Sequence, residues 1–473
     1  MGHGVLVAAQ DGERCAMVYD VVIVGAGFSA IASVCNLIEL LPASFSVAVV
    51  GDDPGFGRGT AYRTELYLHR LNVPAGRMSL FADRPDAFVD WLAEHKRPVG
   101  AGDFASRQDY GLYVRDSLAG LLRRKPRCRV DFIKAKATGC LGRYNAALGF
   151  LFDNGNEIAG RNIVLCLGVG SAKLPIDLSG LPALGASHVV DNPWRLSWLG
   201  RVASEDSVCI LGSGLTMIDQ VLALHAHGFK GHIDVISRRG LAPLSHARAP
   251  KPPAELDVAT LPTRLSELMG TLRRESRCAD DWRSIMDSLR PQTQTLWQRL
   301  PLSERSRFLR HALPWWNIHR HRVAPDVFER FEEITRSGQI ALHAGYLLNV
   351  EAGDRLTLCY RARGRRDVLS IQTDWIVNCT GMERAGMAHS PLLRAMQHQG
   401  LIEADPLGLG IIVDPRSRIP KTSENGVSIY AVGALTAGQF WEITAVPDLR
   451  VQARKVAEAI AKRRWAKSGQ DDG

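Results

Sequence analysis

The strongest constraint on the fold is a pattern that occurs twice: an apolar run, a glycine-rich turn and a mostly apolar segment of helical length. In the first copy the run is 21–24, the turn is Gly25-Ala26-Gly27-Phe28-Ser29-Ala30, and the segment is 31–40, with another apolar run at 46–50. In the second copy the run is 208–211, the turn is Gly212-Ser213-Gly214-Leu215-Thr216-Met217, and the segment is 218–227, followed by 233–236. Each reads as strand, tight turn, helix, strand. Gly25 permits the sharp reversal, Gly27 lets backbone approach a pyrophosphate, and small Ala30 lets the helix pack close to the strand. The helix N-terminus then offers its unpaired N–H groups to phosphate oxygens. Two such units in one chain predict an α/β protein with two Rossmann-like domains and two bound dinucleotides.

In such turns the residue about 20 positions past the third small residue governs the ribose chemistry: a carboxylate accepts from the 2′-OH, and arginine suits a 2′-phosphate. In the second copy that residue is Arg238, with Arg239 beside it and nothing acidic at that point. The pair favours NADPH over NADH, although a solvated surface pair would read the same way. Gly212, Ser213, Gly214, Leu215 and Thr216 are therefore read with Arg238 and Arg239 as the NADPH site. In the first copy the position is Gly51, and the carboxylate comes one residue later, at Asp52. Asp52 is read as the adenosine-ribose partner of FAD, a turn carboxylate ahead of Pro54 being the other reading. Met217 departs from the small third residue, which bears on how closely the second helix packs.

Composition narrows the rest. At 473 residues, 46% hydrophobic and 23% charged, the chain is ordinary globular protein with room for two or three domains. No apolar run reaches the roughly 18 to 20 residues of a membrane span. The first 17 residues have no charged segment followed by an apolar one, so a cytoplasmic protein is expected. The nine cysteines contain no C-x-x-C pair, which argues against a redox disulfide and against structural zinc; no metal is expected. A formal charge of +9 raises nucleic acid as a partner. The basic residues, however, fall in separate clusters (123–129, 238–239, 273–274, 319–322, 361–366) without a nucleic-acid-binding motif. They describe either a solvated surface or a field that favours anionic cofactors and substrates.

Along the chain, the glycine-rich loop 55–59 with Arg58 follows the first unit, and helical patterns occupy 85–95 and 110–123. Strands are expected at 129–133, 149–153 and 162–167, the last ending in Gly168. Residues 170–202 read as a connector. From 252 to 338 the pattern is helical (263–274, 280–289, 302–312, 325–336), then a hairpin (355–360 with 368–371) and a buried strand ending in Gly381. The expected organisation is an FAD domain over 18–200 and 382–465, an NADPH domain over 201–251 and 339–381, a helical insertion over 252–338, and flexible tails at 1–17 and 466–473.

The two turns, GFGRGTAY, HRLNVPAGRMSLF, the paired strands IVLCLG and IVNCTG, WWNIHRHRVAP and the closing SIYAVG…WEITAVPDLR resemble the FAD/NAD(P)-binding flavoproteins. That family is related to the class B flavin monooxygenases and the N-hydroxylating lysine and ornithine monooxygenases. The resemblance spans about 20–460. It implies an FAD domain carrying an inserted NADPH domain, with glycine-ended strands at Gly168 and Gly381 as the crossings. It implies that Asn72, Val73, Pro74, Arg77 and Met78 lie near the isoalloxazine. Thr444, Ala445 and Val446 would open a helix whose N-terminus stabilises negative charge on the reduced ring. Three departures stand out. Gly433 is followed by Ala434 where the family usually has an aspartate for the ribitol. The monooxygenase fingerprint is only echoed, by Leu184, Gly185, His188 and Trp194. Met217 replaces the small residue noted above.

The activity implied is that of a single-component monooxygenase: NADPH reduces FAD, O2 adds to form a C4a-(hydro)peroxyflavin, and a small anionic or amine-bearing molecule takes one oxygen atom. The helical insertion would form the substrate lid. Trp316, His319, Arg320, His321 and Arg322 form the densest polar-aromatic group and could grip phosphate or an anionic substrate. A cationic helix end packed by core tryptophans would give the same string. Two other activities fit the sequence: an NADPH dehydrogenase passing electrons to a quinone or protein partner, and a non-catalytic nucleotide-binding or redox-sensing module.

Overall fold

The structure, a computed structural model, describes residues 17–53, 55–144, 146–168, 170, 174–178, 180–381, 387, 390–420 and 426–468. In chain order, β1 (Met17–Val24), α1 (Phe28–Leu40) and β2 (Ser46–Gly51) form the first strand-helix-strand unit. Next come α2 (Ala87–Glu94), α3 (Arg107–Arg124), β3 (Arg129–Lys134), β4 (Ala137–Tyr144), β5 (Ala147–Phe152) and β6 (Glu157–Leu165). Short α4 (Ala183–Ser187) and β7 (Val189–Val190) precede the second unit, β8 (Val208–Leu211), α5 (Leu215–Ala226) and β9 (Ile233–Ser237). The helical stretch is α6 (Leu265–Cys278), α7 (Trp282–Leu289), α8 (Thr293–Arg299), α9 (Leu302–Arg307), a π-helical turn (Phe308–Ala312), α10 (Leu313–Arg320) and α11 (Pro325–Arg336). It is followed by β10 (Ile340–Ala352), β11 (Leu356–Ala362), β12 (Val368–Thr373), β13 (Trp375–Asn378), α12 (Pro391–His398), β14 (Ser428–Ala431) and α13 (Val446–Ser468).

Two compact units result, one within 1–63, 73–170 and 384–473, the other 64–72 and 171–383. In the first, the sheet order is β3-β2-β1-β6-β5-β4, with β14 also on β6. β2, β1, β6, β14 and β3 run parallel, and β5 turns back antiparallel to β6. Val21, Val22, Ile23 and Val24 are all at most 2% exposed, as a parallel strand covered on both faces requires. The chain passes from β1 to β2 on one side and reaches β6 on the other, so the first glycine turn stands at the point where the strand order reverses.

In the second unit the order is β12-β11-β10-β9-β8-β13-β7. β8 is again the reversal point, with β9 on one side and β13 on the other, and it carries the second glycine turn. β10 has two roles. Its residues 340–344 pair parallel with β9, and residues 345–352 pair antiparallel with β11, extending the sheet as an arm.

Several boundaries differ from the sequence expectation. The stretch 170–202 contains α4, β7 and a 3-10 segment (Leu196–Arg201), and β7 pairs with β13, so 171–200 packs with the second unit. Residues 64–72 do so too: the His69 ring is fully buried, bonded to Thr64 Oγ1 (2.7 Å) and to the Asp219 carbonyl (3.1 Å). The helical stretch 252–338 clusters with the second sheet. Of the expected tails, Met17 opens β1 and 466–468 continue α13, while 1–16 and 469–473 lie outside the described residues.

Gly25 has φ +133°, and a Cβ there would lie 2.4 Å from the Cys166 carbonyl oxygen. Gly155 has φ +78° with nothing within 4 Å of that position. Gly25→Ala is therefore expected to cost roughly 1–3 kcal/mol, and Gly155→Ala distinctly less; thermal unfolding of the two variants side by side checks the difference.

Candidate functional site

At the first turn, the Gly25 N–H donates to the Val50 carbonyl (2.7 Å) and the Gly57 N–H to the Ala26 carbonyl (2.8 Å), so the 55–59 loop folds onto the turn. Gly27 is the N-cap of α1, which has no side-chain cap and no acidic residue in its first turn. A Cβ on Gly27 would meet only the Gly59 Cα, at 3.9 Å. The cradle is thus open at backbone level, and the first N–H groups of α1 are left for an anion. Ala30 is fully buried, and Phe28 packs on Tyr62 and Tyr110. Ser29 lies beside Gly433 (φ +89°), whose N–H donates to the Gln452 side-chain carbonyl at 2.8 Å. Arg58 lies against Gly55 and Gly111.

The register of the carboxylate has a steric cause. A Cβ on Gly51 would fall 2.4 Å from the Ala26 Cβ, so the end of β2 abuts the turn and the first side chain free to point outward belongs to Asp52. Asp52 is exposed and makes no ion pair or hydrogen bond among the described residues. Asp53 instead accepts from the Gly55 N–H (3.0 Å) and from Arg63 (3.3 Å). Several buried polar atoms of this unit lack hydrogen-bond partners among the described residues, the Tyr110 hydroxyl and the Arg450 Nε among them. Burial pushes the Tyr110 phenol well up, so it stays a neutral donor. Sequence reading gave no signal for either residue.

Other expected FAD contacts are distributed. Asn72 belongs to the second unit, while Val73 and buried Met78 belong to the first. Gly168 is exposed beyond β6. Thr444 and Ala445 lead into α13 at Val446, but the first turn of that helix carries Asp448, unlike α1. Its positive end is partly answered by its own carboxylate.

The second turn repeats the first. The Gly212 N–H donates to the Ile236 carbonyl (2.8 Å), and with φ +101° a Cβ would lie 2.2 Å from the Cys379 carbonyl oxygen. Gly214 caps α5, again with no side-chain cap and no acidic residue in the first turn. Met217 is fully buried, so the larger residue is absorbed by the core. Ser213 Oγ donates to the Leu241 carbonyl (2.6 Å) and lies 2.8 Å from Ser237 Oγ, which ties the turn to the end of β9. A cavity of ≈ 770 Å³ opens here, lined by residues 211–216, Ile236 to Arg239, Gly345 to Leu347, Cys379 to Gly381, and Pro314, Asn317, Ile318 and His321 of the helical stretch. Arg238 is exposed; Arg239 leans toward α10, donating to the His311 carbonyl (3.4 Å) with its guanidinium 5.9 Å from the Trp315 ring.

The residues of the 316–322 cluster are spread over different faces. His321 lines the cavity. Trp316 is buried against Phe308, and His319 bonds the Trp315 carbonyl and meets the Trp282 ring edge-on. Arg320 is 9% exposed, and Arg322, 3% exposed, is ion-paired with Asp287. The helical period puts residues three and four apart on one face, so neighbours in this string point to different sides. Among the described residues no group of His, Cys, Asp or Glu could hold a metal, and no helix is long and apolar enough to cross a membrane.

Near Arg322, His246 is held by a 3.1 Å hydrogen bond to the Asn72 carbonyl. Burial, then the Arg322 charge, lowers its pKa from 6.5 to about 4, so Nε2 is the donor of a neutral ring.

Residues 22–170 match the model of the FAD-NAD(P)-binding family. No curated protein matches the sequence. Solved structures share the fold over 94% of this chain. An ornithine hydroxylase from Pseudomonas aeruginosa superposes with TM-score 0.66 at 19% identity, over 99% of its own length. L-lysine 6-monooxygenase from Pseudomonas syringae gives 0.66 at 17%, over 99%. An ornithine N-hydroxylase from Kutzneria sp. 744, solved with reduced FAD, NADP+ and L-ornithine, gives 0.66 at 15%, over 100%. The chain thus has the two-Rossmann-domain fold of these enzymes.

Two outcomes are expected. Asp52→Ala lowers FAD retention on gel filtration with an unchanged melting temperature, whereas Asp53→Ala, which breaks the loop's own bonds, lowers the melting temperature. For His246, the unfolded ring binds a proton below about pH 6.5 and the folded ring only below about 4. Stability is therefore lost as pH falls from 6.5 toward 4. His246→Gln, which keeps a donor but does not titrate, should flatten that part of a urea-unfolding pH profile.

Proposed function

We propose that the chain is an FAD-containing, NADPH-consuming monooxygenase that places one oxygen atom of O2 on the nitrogen of a small amine-bearing molecule. The balance is substrate, O2, NADPH and a proton going to hydroxylated product, water and NADP+. The observation that carries the reading is the second turn: an uncapped helix start, a backbone-open glycine and two arginines on one cavity, in a chain whose other turn is of the FAD-NAD(P)-binding family. The fold neighbours that act on ornithine and lysine support an amine as acceptor.

When bound, the flavin supplies hydride acceptance and oxygen activation. The chain supplies binding and electrostatics. Gly25, Gly27, Ser29 and the α1 N–H groups hold the FAD pyrophosphate, with Asp52 on the adenosine ribose. The buried Tyr110 hydroxyl and Arg450 Nε are donors that a bound flavin nucleotide would satisfy. Gly212, Gly214, Leu215 and Thr216 hold the NADPH pyrophosphate and Arg238 its 2′-phosphate. His321 and Asn317 add polar groups from the helical stretch to that cavity. The sequence has no C-x-x-C pair of the kind a disulfide reductase relay uses. Cys35, Cys166, Cys209 and Cys379 are buried, and burial pushes their thiols up (Cys166 to about 12), which keeps them protonated and unreactive.

The test uses the purified full chain loaded with FAD. NADPH oxidation and oxygen uptake are followed with a panel of diamines and basic amino acids, and hydroxylamine product is assayed. Substrate-stimulated oxygen uptake with matching product is expected. Flavin reduction by NADPH that turns over only with a quinone or protein acceptor would establish the reductase alternative instead. Protein that binds neither nucleotide would leave neither enzymatic reading standing.

A further inference from the structure

The end of β9 is overhung by the arm that β10 and β11 make. β10 pairs with β9 only as far as Ala344↔Ser237, and the next three residues, Gly345 to Leu347, line the coenzyme cavity before the strand continues in antiparallel pairing. Gly345 is required there, since a Cβ would lie 2.5 Å from the Tyr360 ring. Tyr346 follows, 43% exposed for so large a ring, with the Arg361 guanidinium 5.9 Å from its centroid across the strand pair. Beyond Arg361 the chain turns so that the Arg363 N–H donates to the Ala344 carbonyl (2.8 Å), and its guanidinium reaches the Arg238 carbonyl (3.3 Å). Arg238, Arg361 and Arg363 make no ion pair with a carboxylate among the described residues.

In a doubly wound sheet the adenosine half of a dinucleotide lies over the C-terminal ends of the second and third strands, and its ribose 2′ position faces the residue that ends the second. Here those strands are β9 and β10. Resting on the coenzyme reading above, we propose that the arm completes the NADPH site: Tyr346 is the platform for the adenine ring, and Arg363 joins Arg238 in gripping the 2′-phosphate. A flat exposed aromatic flanked by a guanidinium suits a purine face. Two guanidiniums at adjoining strand ends suit a dianionic phosphate, each reaching it from its own backbone position. Coenzyme choice is then set jointly by β9 and by a strand that lies about 120 residues further along the chain, outside the glycine-turn motif.

The test is calorimetric binding of 2′,5′-ADP and of 5′-AMP, which differ at the 2′-phosphate, to the full FAD-loaded chain. Arg363→Ala should weaken 2′,5′-ADP by roughly tenfold to a hundredfold, the worth of a charge-assisted contact, and leave 5′-AMP nearly unchanged. Arg363→Lys should recover part of the loss. Tyr346→Ala should weaken both nucleotides alike, and Tyr346→Phe neither. Wild-type protein that binds 2′,5′-ADP more tightly than 5′-AMP, with the ratio unmoved by Arg363→Ala, would overturn the arm's role alone. Wild-type protein that binds the two equally, or neither, would overturn the NADPH reading itself and this inference with it.

Discussion

Both halves of the structure depend on one contact: a turn glycine pressed against the backbone of the strand next door. At Gly25 the neighbour is the Cys166 carbonyl that follows β6; at Gly212 it is the Cys379 carbonyl that follows β13. Side chains of any size are excluded at both places. The turn is thereby locked to the sheet, and the helix behind it must begin at Gly27 or Gly214 with nothing to cap it. Leaving a helix start uncapped costs about 1 kcal/mol relative to a serine or aspartate cap. Two starts left so, without a first-turn carboxylate, are what an anion-binding protein retains, because the ligand supplies the cap. α13 shows the contrast, with Asp448 already in its first turn.

The glycine turns were legible because every requirement they meet is local. A reversal, a close approach and a helix start fall within six residues, and the apolar runs on either side declare a buried parallel strand. The register of Asp52 was visible as a shift, but its cause was not. Gly51 meets Ala26, 25 positions earlier in the chain, and no local pattern encodes that collision.

In the 316–322 string the helical period, not the density of charge, decides which residues meet. Pro314, Asn317, Ile318 and His321 are spaced as one helix face, and they are the four that line the cavity. Trp316 and Arg320, four apart, share another face and are buried. The periodicity was in the sequence, but four cations beside two tryptophans read as one constellation when taken by composition. Residues 64–72 and 171–200 were beyond such reading altogether. They pack with the second unit through a buried histidine and a two-residue strand, features whose partners lie more than a hundred residues away.

Charge pairing separates the arginines that hold the fold from those with no carboxylate partner among the described residues. Arg355 makes a two-pronged pair with Asp374 (2.8 and 2.9 Å), Arg322 is buried on Asp287, and Arg248 meets Glu329. Each closes a loop or a helix end onto its neighbour. Arg238, Arg361 and Arg363 converge on one sheet edge without a carboxylate among the described residues. Like charges gathered this way repel one another and weaken the fold slightly, an effect softened by solvent and salt. A chain of net charge +9 does not lack acidic residues, since 49 are present to pair with 58 basic ones. The uneven distribution is therefore informative: neutralisation is withheld at the edge of the coenzyme cavity and supplied elsewhere. A bound dianion would relieve the repulsion and gain the hydrogen bonds together, so on the proposed reading this edge of the second sheet, rather than the net charge of the protein, would set a preference for a phosphorylated nucleotide.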